Sequence, residues 1–181
     1  IQVLSSAQLG ALTTAQVNAL STAQVAYLLT AQVAALTTAD WAALKSTQLN
    51  ALTASQFAAV TTNQIVALTT AQAGALSTQQ LALLSTEQLV AMETQDLVAL
   101  KTQQLAGLGT SVVAALTTDQ LQSLKTQHIA ALTSMQLAAL TTGQIIALTT
   151  AQAGNLTTAQ MALLSNDQLL ALGTDDLAAL K

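Results

Sequence analysis

The chain has 181 residues, of which 52% are hydrophobic, 2% aromatic and 7% charged, with four Lys+Arg against eight acids and a net charge of −4. No Cys is present, which excludes disulfides, thiolate nucleophiles and thiolate metal sites, and four cations make no electrostatic footprint for nucleic acid or an anionic membrane. The hydrophobic content excludes disorder by composition, while Thr, Ser or Gln interrupts every apolar run far short of the roughly 20 residues of a membrane span.

From Leu4 onward the chain repeats in steps of eight. Leu12, Leu20, Leu28, Leu36, Leu44 and Leu52 follow, and the frame runs on to Leu180 with only Val60 and Met92 substituted. Numbering the octad from this residue, the consensus is Leu, Ser/Thr, Thr, variable, Gln, Val/Leu/Ile, variable, Ala. Position five is Gln in 17 of 22 octads, the exceptions being Asp40, Asp96, Val112, His128 and Asp176.

An eight-residue period rules out one continuous helix, because the Leu stripe would drift by about 80° per repeat, and it does not match a coiled-coil seam. A strand sends positions one and six to opposite faces unless it bends inside every octad, which leaves a β-solenoid as the alternative. The Ala, Leu and Gln content favours helix.

Taken along the chain, each octad predicts one short helix. Ser5 with Gln8, Thr13 with Gln16 and Ser21 with Gln24 open the series with the capping-box spacing, in which the hydroxyl accepts from a first-turn amide and the Gln side chain reaches back to the cap N–H. Leu at position one and the apolar residue at position six form the hydrophobic staple, as in Leu12 with Val17 and Leu36 with Trp41. At Tyr27 to Leu29 the hydroxyl is lost, and Asp40 then replaces a Gln. Phe57 and Trp41 fall at position six, so core filling is expected of both; Tyr27 replaces a position-eight Ala. Gly107 and Gly109 lack any phosphate-loop context and predict a local irregularity. His128 stands at a Gln position with no second His or Cys, which predicts a substitute cap and no metal site. Asp175 and Asp176 close the series as first-turn residues rather than a catalytic pair.

The few charges check this register. Seven acids, Asp40, Glu87, Asp96, Asp119, Asp167, Asp175 and Asp176, fall at positions four or five, where the helix dipole favours anions, and Glu93 alone replaces a cap. All four lysines, Lys45, Lys101, Lys125 and Lys181, fall at position two, just past the preceding helix C-terminus. Each helix is below the roughly 12 residues needed for marginal independence, so the octads must stack. The expected fold is all-α: a repeat solenoid or superhelix of about 22 very short helices, with Leu and Val/Leu/Ile inside and Ala, Thr and Gln outside.

A longer period overlies the octad. Residues 61–101 match residues 141–181 at 28 of 41 positions, an offset of ten octads, and Asp96 with Asp176 and Ala73 with Ala153 recur at that offset. Duplication of a ten-octad block explains this, and so does a whole number of superhelical turns; the two are compatible. One continuous array over residues 1–181 is therefore expected. The frame is entered inside an octad at Ile1 and left at Lys181, so a longer array is expected too, and no signal peptide is expected within these residues.

Locally, the run Leu12-Thr13-Thr14-Ala15-Gln16-Val17 resembles the opening helix of TAL-effector repeats. The second helix, the base-reading loop and the positive charge of that family are absent, so DNA reading does not follow. Over its whole length the chain is similar to tandem Thr/Ala/Gln-rich octapeptide segments of large bacterial surface or secreted proteins. That resemblance implies an extracellular or cell-surface setting and a stalk, spacer or self-associating role, with no catalytic, metal or cofactor residues. The expected partners are neighbouring repeats, with no nucleic acid and no membrane span. The alternative is an extended-surface binding module that presents ordered Thr rows to a polysaccharide or to ice.

Overall fold

Whether an octad can fold at all depends on how it ends as much as on how it starts. In the computed structural model, which describes residues 1–180, twenty-two α-helices, α1 to α22 in chain order, form one per octad, from α1 (Ser6–Gly10) to α22 (Thr174–Ala179). Among the described residues there is no strand, so the bent β-solenoid is not the fold. Lys181 lies outside the described residues.

The helices hold four to six residues, as in α6 (Ser46–Leu49) and α22. Each starts where the position-two residue takes an extended conformation, such as Thr13 at φ −78° and ψ 155°. The hydroxyl then accepts from the position-five N–H, as Thr13 Oγ1 does from Gln16 N at 3.3 Å, and Gln16 Oε1 accepts from Thr13 N at 2.8 Å. Reciprocal satisfaction of these amides is the predicted capping box. Corners between helices need no left-handed residue: among the described residues none has positive φ, glycines included. Gly107 (φ −83°, ψ −8°) and Gly109 (φ −63°, ψ 148°) follow the common backbone path, so the irregularity expected there is not one of backbone conformation. What Gly109 does remove is the side-chain cap of α14 (Thr110–Ala114).

The chain divides into two compact units, residues 1–92 and 93–181. Inside each, helices three apart pack on one another. In the first, α2 (Thr14–Asn18) meets α5 (Thr38–Ala43); in the second, α18 (Thr142–Ile146) meets α21 (Asn166–Ala171) and α19 (Thr150–Ala153) meets α22. The core of both is the staple pair. Position-six residues such as Val17, Ile65 and Ile145 are 0% exposed, and position-one Leu residues are nearly as buried. The cause is the helical period, which brings position six and the next Leu to one side of so short a helix.

The position-seven residue meets the helix three octads on. Asn18 Nδ2 donates to the Ala43 carbonyl at 2.9 Å and Asn50 Nδ2 to the Ala75 carbonyl at 2.8 Å. Gly154 occupies the same position, and a Cβ there would lie 2.7 Å from the carbonyl oxygen of Ala179. Gly154→Ala is expected to destabilise the second unit by about 1–3 kcal/mol, although Ala is the better helix former. Gly143→Ala, whose Cβ would find only Thr141 Oγ1 at 3.9 Å, is expected to be neutral or slightly stabilising. Urea midpoints of the two variants check the contrast.

Candidate functional site

The side chain that defines the octad is the Gln at position five, and its role exceeds the capping box. Its Oε1 accepts from the cap N–H three residues before. Its Nε2 donates to carbonyls at the C-terminal end of the helix four octads back. Gln48 shows the full pattern: Oε1 accepts from Lys45 N at 2.7 Å, and Nε2 lies 3.1 Å from the Val17 carbonyl oxygen and 2.7 Å from that of Leu20. Gln72 repeats it on Trp41 and Leu44, Gln136 on Leu105 and Leu108, Gln152 on Leu121 and Leu124, and Gln160 on Ile129 and Leu132.

Both ends of a short helix leave backbone groups without intrahelical partners, and burial makes such groups costly. One Gln therefore closes the N-terminus of its own helix and the C-terminus of another, 28 to 31 residues earlier. These residues are buried, Gln48 at 1% and Gln152 at 1% exposure, which corrects the expectation that Gln lies on the exterior. Gln8, Gln16 and Gln24 are exposed. The outside is made by position four and by the Thr at position three, as at Thr22, Thr62 and Thr142.

Where position five is not Gln, the chemistry of the substitute decides how much of this double role survives. His128 keeps both halves. Its Nδ1 accepts from Lys125 N at 3.3 Å, as a substitute cap should, and its ring also hydrogen-bonds the backbone of Leu100, again 28 residues back. Burial holds the imidazole below its ordinary 6.5, the nearby Lys125 charge adds to this, and the Leu100 hydrogen bond opposes it. A neutral ring is the form that fits, since protonated Nδ1 has no lone pair for the Lys125 amide. Its stabilisation is complete above the unfolded value of 6.5 and is lost as pH falls from there through the lower folded value. His128→Gln is accordingly expected to raise the urea midpoint at pH 5 more than at pH 7.5.

The aspartates keep less. Asp40 Oδ2 accepts from the Thr37 hydroxyl at 2.6 Å, and Asp176 Oδ2 accepts from Gly173 N at 3.2 Å. Neither carboxylate can donate to a carbonyl. Asp96 has neither kind of bond: both oxygens are buried without a hydrogen-bond partner. Val112 gives up both halves, and its helix α14 has no side-chain cap.

The remaining singular residues are not gathered into one place. Trp41 and Phe57 fill the core at 0% and 1% exposure, as their position predicts, and the Trp41 indole N–H is buried without a partner. Tyr27 and Leu29 are exposed, so the octad that lost its hydroxyl presents a small apolar surface. Asp175 is exposed while Asp176 is buried, so the two carboxylates do not face a common space. Among the described residues there is no pocket, and no three His, Cys, Asp or Glu side chains lie together. No helix there is long and apolar enough to cross a membrane.

The recurrence seen in hydrogen bonds is also seen by comparison. A family model described as the ALTTAQ repeat matches residues 1–38, 33–70, 89–126, 120–150 and 129–166, overlapping matches that tile most of the chain. Comparison with curated proteins gives no match.

Proposed function

The chain belongs to the ALTTAQ repeat family, and on that premise we propose that it is a non-catalytic structural segment, a stalk, spacer or self-associating rod of a bacterial surface protein. The observation that carries this reading is the glutamine ladder. The polar side chains present in nearly every octad, at positions two and five, are engaged in closing helix ends, so each octad is built to hold other octads. Such a unit extends by addition, since its stability comes from neighbouring repeats.

Self-association draws on aliphatic residues left outside at position seven. Val66 on α8 (Thr62–Val66) and Val90 on α11 (Thr86–Ala91) lie on helices that pack together, and Ile146 and Leu170 repeat the pair on α18 and α21. Small-angle scattering tests the spacer reading. Each additional ten-octad block is expected to lengthen the particle's maximum dimension by a constant increment, and a compact sphere at every length would overturn it.

The second reading, an extended-surface binder, rests on the exposed Thr hydroxyls at position three, which the capping boxes do not use. Position-two hydroxyls are not free in this way, since they accept from the position-five amide. Pelleting with insoluble polysaccharide and an ice-recrystallisation assay test it, and no retention with no inhibition would dismiss it.

A further inference from the structure

Asp96 differs from every other residue at position five. It is 0% exposed, and neither carboxyl oxygen has a hydrogen-bond partner. One difference lies three residues earlier. Glu93 stands where the octad has Ser or Thr, so the hydroxyl that Thr37 supplies to Asp40 is missing. The Glu93 carboxylate instead accepts from Gln95 Nε2 at 2.6 Å, and α12 (Thr94–Ala99) has no side-chain cap. The residue corresponding to Glu93 at the ten-octad offset is Gly173, whose N–H serves Asp176. Thus, among the described residues, one step holds a buried carboxyl that lacks the hydroxyl donor, is not met by the cap N–H and has an acidic neighbour.

We propose that α12 is a pH-responsive element, held like its neighbours while Asp96 carries a proton and loosened locally when Asp96 ionises. Protonation takes one proton from solvent and turns one carboxyl oxygen into an O–H donor, the kind of group that the Gln amide supplies at other steps. Ionisation leaves a buried charge that no protein hydrogen-bond donor meets, with the Glu93 carboxylate adding repulsion.

The surrounding charges do not relieve this. Within the second unit, Lys101 at the cap of α13 (Thr102–Ala106) and Asp119 on α15 (Thr118–Ser123), the helix packed on α12, are both exposed. His128 hydrogen-bonds the Leu100 backbone just past α12, and burial lowers its pKa from the ordinary 6.5. Burial, with Glu93 adding to it, raises the Asp96 carboxyl to about 6. The sign follows: a raised folded value means that the folded form binds more protons than the open form, so stability falls as pH rises from the ordinary carboxylate range through 6.

Amide hydrogen exchange of residues 93–100 in the full chain tests this, with rates corrected for intrinsic pH dependence and His128→Gln as the background that removes the other titrating group. The opening constant of α12 is expected to rise about tenfold from pH 5 to pH 7.5, the ratio given by carboxyl values near 6 closed and near 4 open. Asp96→Gln is expected to abolish that rise, and Glu93→Thr to reduce it by restoring the hydroxyl. Equal protection of α12 at the two pH values, or an unchanged rise in Asp96→Gln, would overturn the proposal. Carbon-detected titration of Asp96 in the unsubstituted chain gives a second reading, and a midpoint in the ordinary carboxylate range would also overturn it.

Discussion

Gln152→Ala is expected to destabilise the second unit by about 3–5 kcal/mol, more than the loss of one cap accounts for. Gln152 Oε1 accepts from Thr149 N at 2.9 Å, while Nε2 lies 2.9 Å from the Leu121 carbonyl oxygen and 2.7 Å from that of Leu124. Truncation leaves the Thr149 amide and two buried carbonyls, those of Leu121 and Leu124, without this partner, at about 1–3 kcal/mol each where water does not replace it. Gln16→Ala is the control. Gln16 is exposed and makes the capping bonds alone, so its loss is expected to cost at most about 1 kcal/mol. Gln152→Glu separates the two edges of the amide, because Glu retains the acceptor and, when ionised, turns a carboxylate towards two carbonyl oxygens. It is expected to be less stable than wild type at pH 7 and to recover part of the difference as pH falls and the carboxyl becomes a donor. Urea unfolding at both pH values checks all three variants. Equal costs for Gln152→Ala and Gln16→Ala would show that the long-range half of the ladder contributes nothing.

The local half of that interaction was legible in the sequence, and the long-range half was not. Ser/Thr followed by Gln three residues later is a short-range signal, and the sorting of acids into first turns fixed the same register independently. Helix number, helix starts and the buried Leu and Val/Leu/Ile pair all follow from it. What lay out of reach was the destination of the Gln Nε2, a carbonyl 28 to 31 residues away, because nothing within an octad specifies which octad returns to face it. One signal was present nonetheless. A capping box accepts Glu as well as Gln, yet position five never holds Glu. A position that takes Gln in 17 octads and Glu in none favours a side chain that also donates, although Asp40, Asp96 and Asp176 stand there without that half. His128, able to accept at Nδ1 and donate from its other nitrogen, fits the same preference. The roles of Asn18 and Gly154 lay out of reach for a related reason, since each depends on a carbonyl 25 residues later.

The adjacent pair Ile145 and Ile146 gives the most direct test of the frame itself. Both belong to α18, both are Ile, and replacing either by Ala changes helix propensity by the same amount. They differ in burial, Ile145 at 0% and Ile146 at 65% exposure. Ile145→Ala removes three carbons from the core, where truncations of this kind cost about 2–5 kcal/mol depending on how far the surroundings collapse. Collapse is restricted here, because α18 is held between α15 and α21, each anchored by its own Gln, so the upper half of that range is expected. Ile146→Ala is expected to stay within about 0.5 kcal/mol of wild type, the gain in helix propensity offsetting a small loss of surface packing. Since each octad is stabilised through the octads it touches, the loss at Ile145 should also be local at first. Amide exchange is expected to rise in α15, α18 and α21 at denaturant concentrations where the rest of the second unit is still protected. Similar costs for the two substitutions would mean that the eight-residue frame does not set the core. A uniform rise in exchange would mean that the unit unfolds as one block, and that its repeats are coupled more tightly than neighbour contacts and the glutamine ladder require.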